Sequence, residues 1–506
     1  MISDPGELQV AGRERMKRWV RIHVLRRQNY DLFYPINVES DNPACTAHLL
    51  LDRPHKLPNC LHVNGERTCV KTAELDGRIV QATLERPELV LPGENVVALP
   101  VSCDPRSVQL VTERHGSQGA QKIGWGSISC PRPATGDRHI DAAATFLVNS
   151  LSSDIFGNGL ISLTVWDPCS RCARLWSWYW TTGIVYEALC KLVDRGAIEL
   201  DLAPLEQGLL DRQLIVGSDD VRGSFMVRWD PDRSIERGVI PWHAPNDAAH
   251  LGLHGLLVAH RRCGDALWLQ RAQLLADWIV ANGITNGRLR VGWDAARHRW
   301  DDSWHYIDAA WTPAFFIAMY EHTHRRKWLQ IAEDLARDTI ERFAAGGAFY
   351  IKIWRSNGRH TKSIFSRGMA WVLEGWLPLL AHGCEWLRPR ISRLVDALIV
   401  QQTGDGAWPY LLDRPELGPC NKGTPALAYQ LNRARALLPE LASRLEESVQ
   451  RALFWCEQSM IMEEDSPGRG GIVAHNAEGA IATVRRIPTA INYGSAYYIL
   501  AREERR

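Results

Sequence analysis

The chain has 506 residues, of which 45% are hydrophobic and 23% charged, material for more than one ordinary core and so for two domains. Lys and Arg number 59 against 58 Asp and Glu, so no bulk charge directs it to nucleic acid or to an anionic membrane, and any anion binding must be local. The start, Met1 to Glu7, lacks the basic-then-apolar pattern of a signal peptide, and no uninterrupted apolar stretch reaches membrane-spanning length; this predicts a soluble, cytoplasmic protein.

From about Trp19 to Ser102 the pattern is one of short strands. Leu61-His62-Val63 leads into the turn Asn64-Gly65, Asp76-Gly77 makes a second turn, and Pro92-Gly93 precedes the apolar run from Asn95 to Val101. An all-β domain is predicted over residues 1–136. The cadence "VNGERT … LDGR … LERPELVLPGENVVALPVS" resembles the small β-sandwich and jelly-roll modules that accompany many carbohydrate-active enzymes. Packing against or capping a neighbour is the expected role of such a module.

Twelve cysteines are scattered along the chain, and most are read as reduced, buried thiols. Cys169 and Cys172 form the sole CxxC, with no second pair or nearby histidine pair at zinc spacing.

After about Gly136 the texture changes to apolar helical runs separated by short polar turns. Trp268, Trp328 and Trp386 recur just after the turns Cys263-Gly264-Asp265, His324-Arg325-Arg326 and Gly383-Cys384-Glu385, at intervals near 60. A two-helix hairpin with its loops has that length, and residues 137–506 hold about six of them. Six hairpins close into an (α/α)6 toroid, whereas an open solenoid uses shorter units. The predicted fold is therefore mainly α, a toroid preceded by a smaller all-β domain.

Three segments at similar spacing carry chemistry. Trp242-His243-Ala244-Pro245-Asn246-Asp247 precedes a helix predicted over 248–262. Tyr306-Ile307-Asp308-Ala309-Ala310-Trp311-Thr312-Pro313 leads into a helix over 314–322, with Pro313 in its first turn. Ser366-Arg367-Gly368-Met369-Ala370-Trp371 opens the next. Equal helices bring Asp247, Asp308, Arg367 and Trp371 to one end of the array. One carboxylate can pass a proton, the planar guanidinium can hold an anionic group, and the indole can stack on a pyranose ring. Arg367 and Trp371, four apart, share a helix face. Either aspartate alone reads equally well as a helix cap. The helix start favours an ionised carboxylate, while burial among Trp304, Tyr306 and Trp311 favours the neutral acid.

The helical half resembles the unsaturated glucuronyl and rhamnogalacturonyl hydrolases, glycoside hydrolase families 88 and 105. The resemblance runs through "YWTTGIVYEAL", "NDAAHLGLHGLLVAHRRCGD", "YIDAAWTPAFFIAMYEHT", "FSRGMAWVLEGW", "NKGTPALAYQL" and "YGSAYYILA", in that order. It implies Asp308 as general acid and base, Asp247 as the second carboxylate, and Arg367, Trp371 and the stacking Trp180 as substrate-binding residues. It also implies an oligosaccharide ending in a 4,5-unsaturated uronic acid as substrate, with protonation at C4, addition of water at C5 and no metal or organic cofactor. Three positions depart from the family pattern: Ile351 for a usual histidine, Met369 for an amide, and Lys422-Gly423-Thr424 for an acidic and hydroxyl-bearing run. Lys352, Arg355 and His360 are candidates to replace lost contacts, His360 being assigned to substrate.

Two other functions fit the residues. A polysaccharide lyase or sugar epimerase on the same scaffold would use His and Tyr, with His305 and Tyr306 as candidates and His243, His250 and His254 nearby. A non-catalytic carbohydrate-binding protein would keep the cleft alone. His250 and His254 are four apart, a metal-binding spacing, but lack the Glu of an HExxH element, so helical-face packing is the expected role for the pair.

Overall fold

The computed structural model describes residues 32–38, 46–52, 58–63, 66–74, 79–89, 93–99, 107–113, 121–123, 133, 135–151, 163–168, 172–176, 179–215, 218–225, 228–229, 241–294, 298–301, 307–356, 359–466, 468–474 and 488–505. The chain forms two compact units. One takes Met1–Pro131, Val148–Ser177 and Trp229–Ile240; the other takes Arg132–Leu147, Trp178–Arg228 and Pro241–Arg506. The second unit starts at Arg132, and the chain returns twice to the first unit after it.

In the first unit the period-2 pattern produces strands β1 (Leu32–Val38), β2 (Thr46–Asp52), β3 (Cys60–Val63), β4 (Glu66–Glu74), β5 (Ile79–Leu84), β6 (Gly93–Leu99), β7 (Ser107–Glu113) and β8 (Gln121–Ile123). They pair antiparallel in the order β1-β6-β3-β4-β5-β2-β7-β8. Val63 pairs with Glu66 in the antiparallel β3–β4 ladder, and the Asn64-Gly65 turn expected between them lies outside the described residues. In β5 Ala82 and Leu84 are buried and Gln81 and Thr83 only partly, as a strand with one covered face requires, whereas in β3 Leu61, His62 and Val63 are all buried. The described residues of this segment are mainly strand. Two further strands, β9 (Leu163–Asp167) and β10 (Cys172–Trp176), form an antiparallel hairpin.

In the second unit helices come in pairs. Following α1 (Arg138–Leu151), they are α2 (Thr181–Asp194) with α3 (Ala203–Arg212), then α4 with α5. Helix α4 runs through Pro245–Leu251, a π-helical turn Gly252–Leu256 and Leu257–Cys263; α5 is Ala266–Trp278. Next come α6 (Thr312–Thr323) with α7 (Arg326–Phe343), α8 (Ser366–Ala381) with α9 (Arg388–Gln401), and α10 (Gly423–Leu437) with α11 (Ala442–Gln458), before α12 (Asn492–Glu503). Trp268 and Trp328 stand in the first turns of α5 and α7, and Trp386 in the 3-10 turn leading into α9. The period near 60 therefore marks the starts of three second helices, α5, α7 and α9.

The first helices of the pairs pack as a closed ring: α2 on α4, α4 on α6, α6 on α8, α8 on α10, α10 on α12, and α12 back on α2. They are apolar nearly all round, with most residues of α2, α4, α8, α10 and α12 buried, whereas α7 and α11 bury one stripe, as outer helices do. Helix α12 takes its outer support from the other end of the unit: Arg502 pairs with Asp137 at the start of α1 and with Glu457 of α11 at 2.6 Å. Among the described residues no helix is long and apolar enough to cross a membrane.

The ring depends on backbones meeting closely. A 3-10 turn, Ile307–Trp311, carries Asp308 and lies against α8 at Gly375, where an added Cβ would stand 1.9 Å from the Ala310 carbonyl oxygen. Gly375→Ala must push the Asp308 turn away. It is expected to cost roughly 1–3 kcal/mol, read as a lowered denaturant midpoint, with Gly404→Ala, which meets open space, leaving the midpoint unchanged.

Candidate active site

Asp247 is the third residue of α4, after Pro245 in the first turn, and it is buried. Asp308 is half-buried in its 3-10 turn before α6. A relay of hydrogen bonds joins the two segments. The Asn246 amide donates to Asp247 Oδ1 at 2.8 Å, and the Trp311 indole N–H donates to the Asn246 carbonyl at 2.8 Å. Trp311 packs edge-on against Trp371, 4.9 Å between centroids, and the Trp371 indole N–H donates to Asp308 Oδ1 at 2.9 Å. Both aspartates are thereby oriented by groups that are themselves buried and hydrogen-bonded.

Trp180 immediately precedes α2 and sits at the centre of this aromatic cluster, 5.2 Å from Trp311, 6.1 Å from Trp371, 4.9 Å from Tyr493 and 5.2 Å from His250. Trp371 is 1% and Trp180 8% exposed. The faces that the sequence assigned to sugar stacking are largely covered by other rings, and Trp371 meets Asp308 through its N–H. Trp371 lies on α8 one turn beyond Arg367, whose guanidinium rests 4.7 Å over the Phe365 ring and 5.7 Å from Tyr410. Lys422, buried before α10, approaches the same Tyr410 ring at 5.0 Å. Two cations thus gather on one aromatic group where α8 and α10 begin.

His360 lies in a hairpin of Lys352–Ser356 and Arg359–Ser363, its backbone paired with Arg355. His305 and Tyr306, Trp304, and Cys169 of the CxxC lie outside the described residues. Of the three departures, Met369 is fully buried, Ile351 donates its backbone N–H to Phe343 at 2.7 Å, and Thr424 accepts the Trp408 N–H at 3.1 Å.

A polar cluster below the aromatic one escaped the sequence reading. The π turn of α4 places His254 between two carboxylates: Nδ1 meets Glu187 of α2, and Nε2 meets Glu374 of α8 at 2.7 Å. Tyr497 of α12 donates to Glu374 at 3.4 Å. All are buried. Burial disfavours the His254 cation, but Glu187 and then Glu374 prevail and push it up to about 9. Burial likewise opposes the Glu187 anion, and His254 prevails, holding it below the usual carboxylate range. Helical-face packing was the expected role of His254; a glutamate in the apolar run of α2 and another in that of α8 were the available sign, because a buried charge requires a partner.

No protein-family model matches the sequence, and no curated protein matches it. Solved structures do. An unsaturated glucuronyl hydrolase from Bacillus sp. GL1, responsible for degradation of glycosaminoglycan, aligns at TM-score 0.54 and 14% identity over 72% of this chain and 95% of its own. The ring has the fold of the unsaturated glucuronyl hydrolases. One such hydrolase specific for heparin aligns at TM-score 0.53 and 16% identity over 72% and 95% of the two chains. A mutant from Streptococcus agalactiae, complexed with dGlcA-GalNAc6S, aligns at 0.52 and 14% over 72% and 90%. The helical toroid read from the period near 60 is therefore the observed fold.

The His254 pairing has a pH signature. A histidine raised from 6.5 to about 9 on folding contributes stability that is complete below pH 6.5 and lost as the pH rises through 9. Glu187, lowered on folding, contributes above its ordinary value and loses that contribution in acid. In metal-free buffer the protein is expected to lose stability as the pH rises from 6.5 through about 9. His254→Gln should flatten that slope in denaturant titrations.

Proposed function

We propose that this chain is a glycoside hydrolase of the unsaturated uronyl type, acting on oligosaccharides that end in a 4,5-unsaturated uronic acid. The observation that carries the reading is the support of both carboxylates by packed indoles: Trp311 holds Asn246, which donates to Asp247, Trp371 donates to Asp308, and the two indole rings pack edge-on against each other. Two carboxylates oriented by fixed donors at the helix starts of such a ring suit an acid that must give a proton and then take one back. The fold shared with the unsaturated glucuronyl hydrolases supports it.

In this scheme Asp308 delivers its proton to C4 of the double bond, and positive charge develops at C5 beside the ring oxygen. Water adds at C5, and the Asp308 carboxylate accepts its proton. The resulting hemiketal opens and releases the neighbouring sugar. Asp247 orients the ring hydroxyls and the acid. Arg367, with Lys422 beside it, binds the uronate carboxylate, for which a planar fork is suited. Trp180 and Trp371 form the support beneath the cleft, and His360 on its hairpin contacts the sugar.

Loss of the double-bond absorbance of an unsaturated disaccharide is the direct assay. Bleaching supports the reading, appearance of absorbance identifies a lyase, and binding without either identifies a carbohydrate-binding protein. Asp308→Asn should lose about 10²-fold or more in kcat, the scale of a positioned general acid. Trp371→Phe keeps the ring and removes the N–H, and should lower kcat roughly tenfold.

Substrate binding has a separate readout. Arg367→Lys and His360→Ala are each expected to raise KM several-fold for an anionic disaccharide, with the larger effect at Arg367, because an ammonium is a point charge where a bidentate fork is needed. Unchanged KM in both would remove these residues from the substrate site.

A further inference from the structure

Below the aromatic cluster, His250, His254 and Glu374 bring three ligand atoms within 4.8 Å of one another, all three residues buried. The two histidines come from α4, four apart, and the glutamate that the sequence lacked beside them comes from α8. Outer partners are already in place. His254 presents its Nδ1 to the Glu187 carboxylate, and His250 presents its Nδ1 to the Trp180 carbonyl at 3.3 Å. A carbonyl only accepts, so the His250 proton is on Nδ1 and the Nε2 lone pair faces inward, toward the Tyr497 hydroxyl at 3.4 Å. Metal-binding histidines are held in this way, one nitrogen on the ion and the other donating to a carboxylate or backbone carbonyl.

Hydrogen-bond accounting gives an independent indication. The single Tyr497 hydroxyl proton has two acceptors, His250 Nε2 and Glu374 Oε2, each at 3.4 Å. One proton serves only one of them. Both contacts are long for an O–H donor, and a buried acceptor left without a donor is costly. A cation among His250 Nε2, His254 Nε2 and Glu374 would satisfy all three and replace the proton that His254 shares with Glu374. Tetrahedral coordination would open the His254–Glu374 separation from 2.7 Å to about 3.3 Å, given metal–ligand bonds of roughly 2.0–2.1 Å.

The geometry points to a structural divalent transition-metal site, with zinc the best match to two imidazoles and a carboxylate, held by His250, His254 and Glu374 with the Tyr497 hydroxyl at the fourth corner. It would tie three inner helices, α4, α8 and α12, with Glu187 bringing in α2. Deep burial and the absence of an open ligand position separate this role from the substrate chemistry above, and the proposal does not rest on that chemistry.

The test uses the full chain expressed in minimal medium supplemented with zinc or, in parallel, cobalt, then dialysed against EDTA. One retained equivalent of metal, a tetrahedral cobalt absorption between about 500 and 700 nm, and a higher melting temperature than metal-free protein at pH 7.5 are expected. His250→Gln leaves the His254 ion pairs intact and should lose the retained metal and the cobalt band; Glu374→Gln should do the same. Absence of retained metal in the wild-type protein overturns the proposal and leaves an ion-paired histidine only. Undiminished retention in both variants overturns it as well, because the ion is then elsewhere.

Discussion

The hydrogen bond from Trp371 to Asp308 fixes the carboxylate of a turn whose backbone already packs closely against α8. Trp371 is fixed by its place on α8 and by the rings of Trp180, Trp311 and Tyr497 around it. Asp308 lies on a short 3-10 turn with little regular structure of its own. The indole therefore transmits the position of a rigid inner helix to a carboxylate on a looser segment. Trp311 does the corresponding work for Asn246 and, through it, for Asp247. Preorganisation of an acid depends on this kind of support more than on the acid's own backbone.

Much of this was legible in the sequence because it is carried by local pattern. The recurrence of Trp268, Trp328 and Trp386 marks real helix starts, and the spacing of Asp247, Asp308 and Arg367 marks three neighbouring inner helices. What pattern does not encode is the direction in which an aromatic side chain faces. Trp180 and Trp371 read as stacking platforms, yet in the ring they are packed among their own kind, since residues so near the centre of a closed array are covered from several sides. Long-range polar partners were equally hidden. His254 and Glu374 are 120 residues apart, and no local period links them. The π turn that sets the register of His254 on α4 has no signature in the sequence read alone.

The ring also shows how an apolar array accommodates charge. Glu187, His254 and Glu374 come from three helices, and the imidazolium between the two carboxylates is paired on both sides only when all three are in place. Gly183 helps, because an added Cβ there would meet the His250 carbonyl and the His254 Cβ at 3.1 Å; its bareness lets α2 and α4 approach until Glu187, one turn on, reaches the imidazole. Wrong helix neighbours would leave a buried charge exposed to hydrocarbon, a penalty of several kcal/mol. The cluster thus distinguishes the correct order of helices from others that would bury similar apolar area.

The ion pair of Arg502 with Asp137 spans 365 positions of the chain. During synthesis α1 emerges well before α12, so the ring stays an open arc while the intervening helices are made. At a ribosomal rate of about 5–20 residues per second, that interval is on the order of 20 to 70 seconds. Through it the inward faces of α2 and α10, which α12 later covers, lack their last neighbour. Closure is a single late event rather than a gradual one. The arc is consequently the stage at which chaperone engagement or misassembly with another nascent chain competes with completion of the fold.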